Sequence, residues 1–557
     1  MLENLLIREE TGHGFFKVFP LEAGLGKSRE SVRILKEYYN HGGTKKVLIV
    51  KAFERNNEIE EVVNSLNSIE QGLAIGITHR NWEDWRNRSW GLRRFKVIVI
   101  THQRYIDLCL SPRTRKEFSD GRHTLIIEER INFPVYYFDN ELYKHIQGKL
   151  TRYELDAHFE EICIPLLYQI NVLKHLRGSN TRCIICRPEI NENILSSFVE
   201  VLSNNYRYIN DYHEVMDFVK TLKVLYQNEC VYNYERISAV YPQHRLWGLS
   251  NNIILDANGT VEPLYLLDNR IEIVDIAKII SHSHSQVNRI DFNSSMSKIR
   301  STSDYVSGIV ALIIQHIEER PASEKILLVS HKAFEQKLTN ELLLHQIEVG
   351  VGQNYTNEKV AINHFGNLIG SNQYINGDFS QCWILGTPNL RKENYLLKHK
   401  HYSKNSLLGR DLTFGGNRTQ KFNDAELETI RCQDLIGQTY QALKRIQRNP
   451  APKAEYFIVT NNEDVYNGVV QQMEGIRKGR TIELALESSS RRPTWAEKFH
   501  DYVMQLPSGE YLKRDILNSI GFPVSNFNRL RNDLIVRRME DAGVITFHHS
   551  NRRIIKN

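Results

Sequence analysis

Short, almost continuously apolar segments alternate with longer amphipathic segments over the first 130 residues of this chain. The apolar segments have the length of β-strands and cover residues 16–20, 46–52, 95–101 and 124–127. Strands that are apolar on both faces, with helix-length connections, predict a parallel sheet covered by helices on both sides. A second series of this type has strands predicted at residues 325–330, 360–364, 381–386 and 455–459. The predicted fold class is therefore α/β, with two parallel-sheet domains.

The segment between the two series has a different pattern. Residues 138–249 show mainly helical periodicity, with one strand-like piece at 182–187, and are interpreted as a mostly helical insertion in the first domain. Further strands are predicted at 252–256, 264–267 and 271–276, and the Ser- and Asn-rich stretch 282–303 is predicted to be a linker. The predicted domain boundaries enclose residues 1–137, 138–249, 250–303, 304–486 and 487–557.

Several classes of protein are excluded by composition. No run of 18 or more apolar residues occurs, which argues against a membrane-spanning helix. The first ten residues, MLENLLIREE, lack the basic start and the long apolar core of a secretory signal. Seven cysteines are too few and too scattered for a disulfide framework and favour a reducing compartment. We expect a soluble cytoplasmic protein with no membrane partner.

Positive charge is concentrated near the end of the chain. Residues 491–557 hold twelve basic and seven acidic side chains, a net charge of +5, which leaves only +1 for the preceding 490 residues. Apolar periodicity predicts three helices and then a strand pair in this tail, an order that resembles a winged helix. Arg529 and Arg531 lie on the third predicted helix, where they can address DNA phosphates or base edges. Docking to a protein and a solvated basic surface are the alternatives.

A glycine-containing loop follows the first predicted strand and leads into a helix. It reads Leu21-Glu22-Ala23-Gly24-Leu25-Gly26-Lys27-Ser28. Backbone N–H groups around Gly24 and Gly26, with the helix N-terminus, can surround a phosphate. Lys27 can reach the β- and γ-phosphate oxygens of ATP, and Ser28 can ligate Mg²⁺. The loop therefore predicts ATP binding, although Leu21 stands where the usual first glycine would be.

Two adjacent carboxylates end a later strand of the first series. Glu128 and Glu129 follow Leu125-Ile126-Ile127. At the end of a strand in a nucleotide-binding sheet, Glu128 can lie against Mg²⁺ and Glu129 can act as general base toward the attacking water. The alternative is an ordinary strand end with two solvated acids.

Two further segments carry candidate residues. Thr101 and Arg104 follow the strand FKVIVI and suit a contact to a nucleic-acid phosphate, with helix capping by Thr101 as the equal alternative. Late in the second series, Gln441, Arg445 and Arg448 recur at offsets that place them on one face of a predicted helix.

Six segments in this order resemble the superfamily 2 (DExD/H-type) helicases and translocases. They are the Lys27 loop, the Glu128-Glu129 pair, Asp256-Ala257-Asn258, the segment 325–332 (KILLVSHK), the segment 366–372 (GNLIGSN) and Gln441-x₃-Arg445-x₂-Arg448. The fifth segment looks like the Gly-x-Asp motif that couples nucleotide to nucleic acid, with Gly370 at the glycine position and Asn372 in place of the usual acid. Lys444 and Gln447 stand where glycines usually precede the two arginines.

The resemblance implies two RecA-like domains that clamp ATP and Mg²⁺ in their cleft. Lys27, Ser28, Glu128 and Glu129 would lie on one wall, and Arg445 and Arg448 would act from the other wall as arginine fingers. Cycles of closing would move the protein along nucleic acid, with DNA favoured over RNA. The insertion or the tail could bind a protein partner.

Two other functions remain open at this point. One is an AAA+ ATPase of the replication-initiator type, which also joins a phosphate loop to a winged helix. The other is an ATP-gated nucleic-acid-binding subunit of a mobile-element or anti-phage defence complex, without unwinding activity.

Cys183 and Cys186 have metal-like spacing, but they are interpreted as part of a buried strand because no second such pair accompanies them.

Overall fold

The computed structural model describes residues 10–52, 57–176, 183–190, 192–321, 323–368, 373–375, 378–415, 420–484, 486, 495–524, 527–548 and 553–556. The chain forms two compact units. One unit holds the residues up to Ile299 together with Ile313–Leu484, and the other holds Arg300–Leu312 with the residues from Ala485 onward. Among the described residues, no helix combines the length and the apolar character that a bilayer crossing requires.

The first sheet of the larger unit has seven strands, all parallel, in the order β11-β1-β10-β5-β2-β4-β3. Its strands are β1 (Phe16–Phe19), β2 (Lys46–Lys51), β3 (Ala74–Ile77), β4 (Val97–Thr101), β5 (Arg122–Glu128), β10 (Asn251–Leu255) and β11 (Ile271–Ile273). Its helices are Lys27–Asn40, Glu58–Asn67, Trp82–Arg86, His102–Cys109, Pro112–Ser119 and Pro263–Leu267. Apolar side chains are buried on both faces of the sheet, as the continuous apolar strands predict.

The insertion between β5 and β10 contains more strand than its periodicity predicts. Its helices are Asn140–Gln147, Tyr153–Leu176, Glu192–Asn204 and Tyr212–Gln227. Its strands are β6 (Val135–Phe138), β7 (Ile184–Cys186), β8 (Cys230–Asn233) and β9 (Arg236–Val240), in the antiparallel order β6-β9-β8-β7. Cys183 precedes β7 and Cys186 ends it; both are buried, as is Cys230, which lies opposite Cys186 in the sheet. The segments 135–138, 230–233 and 236–240 are short, and they form strands because the tertiary structure brings them together. Periodicity along the sequence therefore does not reveal this sheet.

The second sheet also has seven parallel strands, in the order β14-β15-β13-β16-β19-β12-β20. Its strands are β12 (Gln286–Asp291), β13 (Lys325–Ser330), β14 (Val349–Val351), β15 (Val360–His364), β16 (Phe379–Ile384), β19 (Glu455–Val459) and β20 (Arg477–Glu483). The accompanying helices are Glu335–Leu344, Phe365–Leu368, Lys392–Ser403, Ala425–Leu443 and Glu463–Gln471, and a short hairpin pairs β17 (Phe414–Gly415) with β18 (Lys421–Phe422). The helices Met296–Ser301 and Tyr305–Glu318 follow β12 in the chain and include residues 300–312 of the smaller unit.

Three sequence-based expectations for this unit differ from the structure. The segment 264–267 is helical rather than extended, because Pro263 occupies the first turn and the Glu262 side chain accepts the Leu264 N–H. The predicted linker 282–303 contains β12, whose polar residues pair between β19 and β20. The edge strand β20 was not predicted because its sequence, RKGRTIE, is charged.

The smaller unit has its own apolar core. Its elements from Trp495 onward are the helix Trp495–Gln505, β21 (Gly509–Leu512), the helices Lys513–Ile520, Phe527–Arg531 and Leu534–Asp541, and the strands β22 (Ile545–Phe547) and β23 (Arg553–Lys556). The three strands form an antiparallel sheet in the order β21-β23-β22. The single third helix expected from the sequence is two short helices, and β21 is an additional strand. The winged helix stays a prediction.

Candidate functional site

The phosphate-type loop lies between β1 and the helix Lys27–Asn40. Gly24 and Gly26 have φ angles of 96° and 73°, a left-handed backbone that glycine adopts without strain. Lys27 begins the helix, and its Nζ donates to the Leu21 carbonyl oxygen at 3.0 Å. Burial lowers the pKa of Lys27, against the opposing effect of Glu129 and nearby acids. The loop thus holds a half-buried cation at a helix N-terminus, a combination that attracts phosphate.

Ser28, Lys51 and Glu128 meet at the carboxyl ends of adjacent parallel strands. β5 pairs with β2, so Glu128 and Lys51 end neighbouring strands on the same edge of the sheet. Ser28 Oγ donates to Glu128 Oε2 at 2.5 Å, and Lys51 Nζ donates to the same oxygen at 2.5 Å. His102 Nε2 lies 2.8 Å from the Glu128 carbonyl oxygen, and burial lowers the pKa of His102 to about 4. The carboxylate is therefore fixed by two donors at the base of the loop.

Glu129 occupies an unusual backbone conformation at the centre of the site. Its φ is 65°, in the left-handed region that non-glycine residues rarely adopt, and its N–H donates to the Leu255 carbonyl oxygen at 3.0 Å. Burial raises the pKa of Glu129, with a further contribution from Asp256, while Arg445 and Lys27 oppose the shift. A carboxylate with a raised pKa is a better proton acceptor near neutral pH than an exposed one.

The second-sheet domain supplies the opposite wall. A Cβ built on Gly24 would lie 2.8 Å from Arg448 Cβ, so Arg448 packs directly against the loop. Arg445 faces Glu129, and its Nε has no hydrogen-bond partner among the described residues. Burial lowers the pKa of Arg445, and it lowers that of Arg448 to about 10. The buried Arg445 and the half-buried Arg448 thus approach the loop from the other domain.

The two arginines are not on the helix that was predicted to carry them. The helix Ala425–Leu443 contains Gln441 but ends before Arg445. The chain then turns, with Gln447 at a φ of 48°, where a glycine would avoid backbone strain. Gln447 Nε2 donates to the Phe379 carbonyl oxygen at 2.9 Å, which ties the turn to β16. The turn brings both arginines to the cleft without a continuous helical face.

These groups line a single cavity of about 1150 Å³ between the two sheets. Its inner lining includes Gly24, Gly26, Lys27, Ser28, Lys51, Glu128, Glu129, Gln441, Arg445 and Arg448. The cavity is large enough for a small-molecule ligand, and its walls come from both domains. Candidate residues separated by more than 400 positions in the sequence are therefore brought together.

A second group of charges joins the two domains beside this cavity. We call it the clasp, and it consists of Arg130, Glu262, Lys398 and Asp434. Arg130 Nη1 donates to Glu262 and, at 3.3 Å, to Asp434 Oδ1, and Lys398 Nζ donates to the same Asp434 oxygen. Burial alone would raise the pKa of Asp434, but Lys398 and Arg130 together hold it below its usual value. Glu262 and the adjacent carboxylates hold the pKa of Arg130 well above its usual value, although burial opposes this.

The segment Asp256-Ala257-Asn258 also contacts the second domain. Asp256 accepts the Asn258 N–H at 2.9 Å and the Tyr265 hydroxyl at 2.8 Å, which fixes the turn after β10. A Cβ on Gly437 would lie 3.0 Å from Asn258 Nδ2, so this helix of the second domain packs closely on the turn. The segment therefore connects Glu129, through Asp256, with the helix that precedes the arginine turn.

The candidate nucleic-acid residues of the first domain are in a different setting. The Thr101 side chain caps the helix His102–Cys109 by accepting the Arg104 N–H at 3.1 Å. The Arg104 guanidinium lies 4.1 Å from the centre of the Trp82 ring, and burial lowers its pKa. Capping, the alternative to phosphate contact for Thr101, is thus observed. A nucleic-acid contact by either residue stays a prediction.

Other candidates are described only partly. Gly370 and Asn372 lie outside the described residues, and so does the side chain of Arg529. Arg531 donates from Nη2 to Glu540 Oε1 at 2.9 Å and lies 4.5 Å from the Phe547 ring centre. Arg531 is therefore held in a local pair within the smaller unit, and its contact with nucleic acid stays a prediction.

Sequence reasoning missed Lys51, His102 and the clasp. A lysine at the end of an apolar strand, LIVK, was the available signal for Lys51, since apolar parallel strands rarely end in a buried charge without a partner. The clasp had no local signal because its members are up to 304 positions apart.

The donor set fits a magnesium ion. Mg²⁺ prefers oxygen ligands, and the Ser28 hydroxyl and the Glu128 carboxylate converge at 2.5 Å beside the phosphate-type loop. Glu128 has one methylene more than aspartate, and this length allows it to reach Ser28 and Lys51 together.

No family model and no curated protein matches this sequence. Among solved structures, an XPD helicase is similar with a TM-score of 0.53 at 12% identity, over 84% of this chain and 96% of that chain. The structure of Xpd4 from S. tokodaii is similar with a TM-score of 0.50, also at 12% identity and with the same coverage.

This similarity, together with the two parallel seven-stranded sheets, defines the fold. The chain has the fold of these structures, two RecA-like parallel-sheet domains with an insertion in the first domain. The predicted α/β fold with two parallel-sheet domains is thereby confirmed, and the correspondence of the six segments to the motifs of that superfamily stays a prediction.

Proposed function

We propose that this protein is a superfamily 2 helicase or translocase that hydrolyses ATP in the cavity between its two RecA-like domains. Opening and closing of this cleft would drive movement along nucleic acid, DNA more than RNA. The convergence of Lys27 and Glu129 with Arg445 and Arg448 around one cavity carries this proposal. A triphosphate needs cations on both sides, and only a closed pair of domains supplies them here.

Each residue has a role that its position supports. Lys27 and the loop N–H groups bind the β- and γ-phosphates. Ser28 and Glu128 would hold Mg²⁺, which supplies charge neutralisation to the phosphates when bound. Glu129 accepts the proton of the attacking water, a role that its raised pKa favours.

The second domain completes the site. Arg445 and Arg448 offset the charge that develops on the γ-phosphate, and Gln441 lines the cavity between them and Glu129. The Asn258–Gly437 contact and the clasp transmit the position of the first domain to the arginine turn. Hydrolysis would weaken this closed arrangement and allow the domains to separate.

ATP hydrolysis measured in parallel with no polymer, single-stranded DNA, duplex DNA and RNA tests the proposal. We expect turnover that DNA stimulates more than RNA. Glu129→Gln should still bind ATP but should lose hydrolysis, because the amide cannot accept the proton. An unchanged rate in this variant would remove Glu129 from the site, and no hydrolysis under any condition would contradict the enzyme.

The two alternatives predict different results. An AAA+ initiator has one nucleotide domain with a small lid, whereas two complete parallel sheets are present here. An ATP-gated binding subunit would bind nucleic acid in an ATP-dependent way but show no turnover stimulated by DNA. This second alternative is retained because Lys444 and Gln447 stand where glycines usually precede the two arginines.

The basic tail gives a separate test of nucleic-acid binding. Because phosphate contacts release counterions, removing residues 491–557 should weaken DNA affinity and reduce its salt dependence. Fluorescence anisotropy with labelled DNA at two salt concentrations measures both effects. The double variant Lys513→Gln/Arg514→Gln keeps the tail and should show a smaller loss. Unchanged affinity after deletion would favour protein docking for the tail.

A further inference from the structure

Lys51 is a buried cation that none of the roles above uses. It ends β2 with only 3% of its surface exposed, and it lines the cavity. Its Nζ donates to Glu128 Oε2, the oxygen that also accepts from Ser28 Oγ. On its other side, Glu58 begins the helix Glu58–Asn67, and burial raises the pKa of Glu58 while the charge of Lys51 opposes this.

This position has an electrostatic consequence. Glu128 faces the cavity in which a triphosphate would lie, and two anions repel each other in a site of low dielectric. An ammonium group bonded directly to Glu128 cancels that repulsion before any ion arrives. The same positive charge would disfavour a divalent cation at this acid. Lys51 should therefore favour binding of the nucleotide and disfavour binding of a divalent metal ion at Glu128.

We propose that Lys51 is a resident cation of the phosphate site, which allows the triphosphate to bind without a divalent ion. Binding of nucleotide then depends only weakly on Mg²⁺, although hydrolysis still requires the metal. The inference deepens the proposed function and rests on it, because it needs ATP in the cavity. The alternative is that Lys51 only holds the Glu128 side chain in place.

The chain offers a matched control on the same strand. Lys46 begins β2, at the opposite edge of the sheet, and its Nζ donates to the Arg93 carbonyl oxygen away from the cavity. Lys46→Met and Lys51→Met therefore remove the same charge from the same strand. Only the second variant removes a charge from the phosphate site.

Binding of a fluorescent ribose-labelled ATP to the full chain, in excess Mg²⁺ and in EDTA, tests the inference. We expect Lys51→Met to raise the Kd in EDTA about tenfold over wild type but to change it less than about threefold in Mg²⁺. Lys46→Met should match wild type in both buffers. Lys51→Arg should restore binding in EDTA because it restores the charge.

Glu128→Gln changes the charge of the site in the opposite direction to Lys51→Met, because it removes a negative charge. It leaves the charge of Lys51 uncompensated, so binding in EDTA should become tighter than in wild type. The double variant Lys51→Met/Glu128→Gln should lose this gain. Thermal unfolding identifies any variant that does not fold, and Lys51→Gln then replaces Lys51→Met as the neutral variant.

Two results would overturn the inference. One is equal weakening by Lys51→Met in Mg²⁺ and EDTA, with no restoration by Lys51→Arg, which a merely structural role predicts. The other is unchanged binding in EDTA while Lys27→Ala abolishes binding, which leaves the proposed function intact. If the wild-type protein binds no nucleotide even in Mg²⁺, the proposed function itself fails.

Discussion

Two groups of cations, those of the clasp and those of the cleft, line neighbouring cavities that share Glu129, and they differ in their surroundings. In the clasp, Arg130 and Lys398 are bonded to buried carboxylates, and the pKa of Arg130 is raised. In the cleft, burial lowers the pKa of Lys27 and of Arg445. A buried cation with fixed acidic partners stabilises a structure, whereas a buried cation facing a cavity is suited to bind an anion.

This comparison separates two roles of the second domain, which are to hold the first domain through the clasp and to place cations in the cleft. Asp434, Gln438 and Gln441 recur at helical spacing along one face of the helix Ala425–Leu443, and Gln438 Nε2 donates to Asp434 Oδ2 at 2.6 Å. The middle of this helix is bonded to the first domain through Asp434, and the turn after its C-terminal end carries Arg445. We infer that the clasp sets the position of the arginine turn. The following predictions test this division, beginning with the largest expected effect.

Lys27→Ala should have the largest effect on turnover. It removes the loop cation that contacts the phosphates, so we expect kcat for ATP to fall on the order of 10³-fold or more. Steady-state ATPase assays measure the loss, with thermal unfolding as a check on the fold. Turnover close to wild type would mean that this lysine does not belong to the site.

Arg445→Ala should lower kcat by about 10²- to 10³-fold and change nucleotide affinity by less than about threefold. The charge acts mainly on the transition state, so the rate falls while the bound ground state is kept. Arg431→Ala, in the preceding helix Ala425–Leu443 and paired with Glu428, is the control for a structural arginine. Arg431→Ala should lower the melting temperature and should reduce kcat less than Arg445→Ala does. Parallel losses of nucleotide affinity and of kcat in both variants would contradict this difference between the two arginines.

Asp434→Asn should act mainly on stability. It removes the charge of a buried acid that lies between two partly buried cations, and breaking such a buried pair costs about 3 kcal/mol. We expect a lower melting temperature of the larger unit in calorimetry, together with a smaller loss of kcat than Arg445→Ala causes. Asp464→Asn, an exposed acid of the second domain, should leave both nearly unchanged. A wild-type melting temperature for Asp434→Asn would contradict a structural role for the clasp.

The smallest expected effect is on the pH profile. Glu129 works as a base only when deprotonated, so activity should fall as the pH drops through its raised pKa. Since Asp256 helps to raise that pKa, Asp256→Asn should lower it and move the acid limb of kcat to lower pH. Glu272→Gln, exposed on β11, should leave the acid limb in place. A shift of the acid limb to higher pH in Asp256→Asn would contradict the assignment of Glu129 as the base.

Much of the fold follows from local patterns. Strands such as Lys325–Ser330, Val360–His364 and Glu455–Val459 have the predicted bounds, because continuous apolar runs of this length, with helix-length connections between them, are typical of parallel sheets buried on both faces. Strands without such runs were missed. The polar β12 and the charged β20 form only because neighbouring strands supply their hydrogen bonds.

The candidate site divides in the same way. The sequence by itself determined the Lys27 loop and the Glu128-Glu129 pair, since each is a contiguous segment at the end of an apolar strand. Only the tertiary structure decided that Lys51 reaches Glu128, because this depends on the placement of β2 beside β5. It also decided that Arg448 packs on Gly24 and that Arg130 meets Asp434 across the domains. Such contacts arise from the order of strands and the approach of two domains, and a linear pattern of residues carries neither.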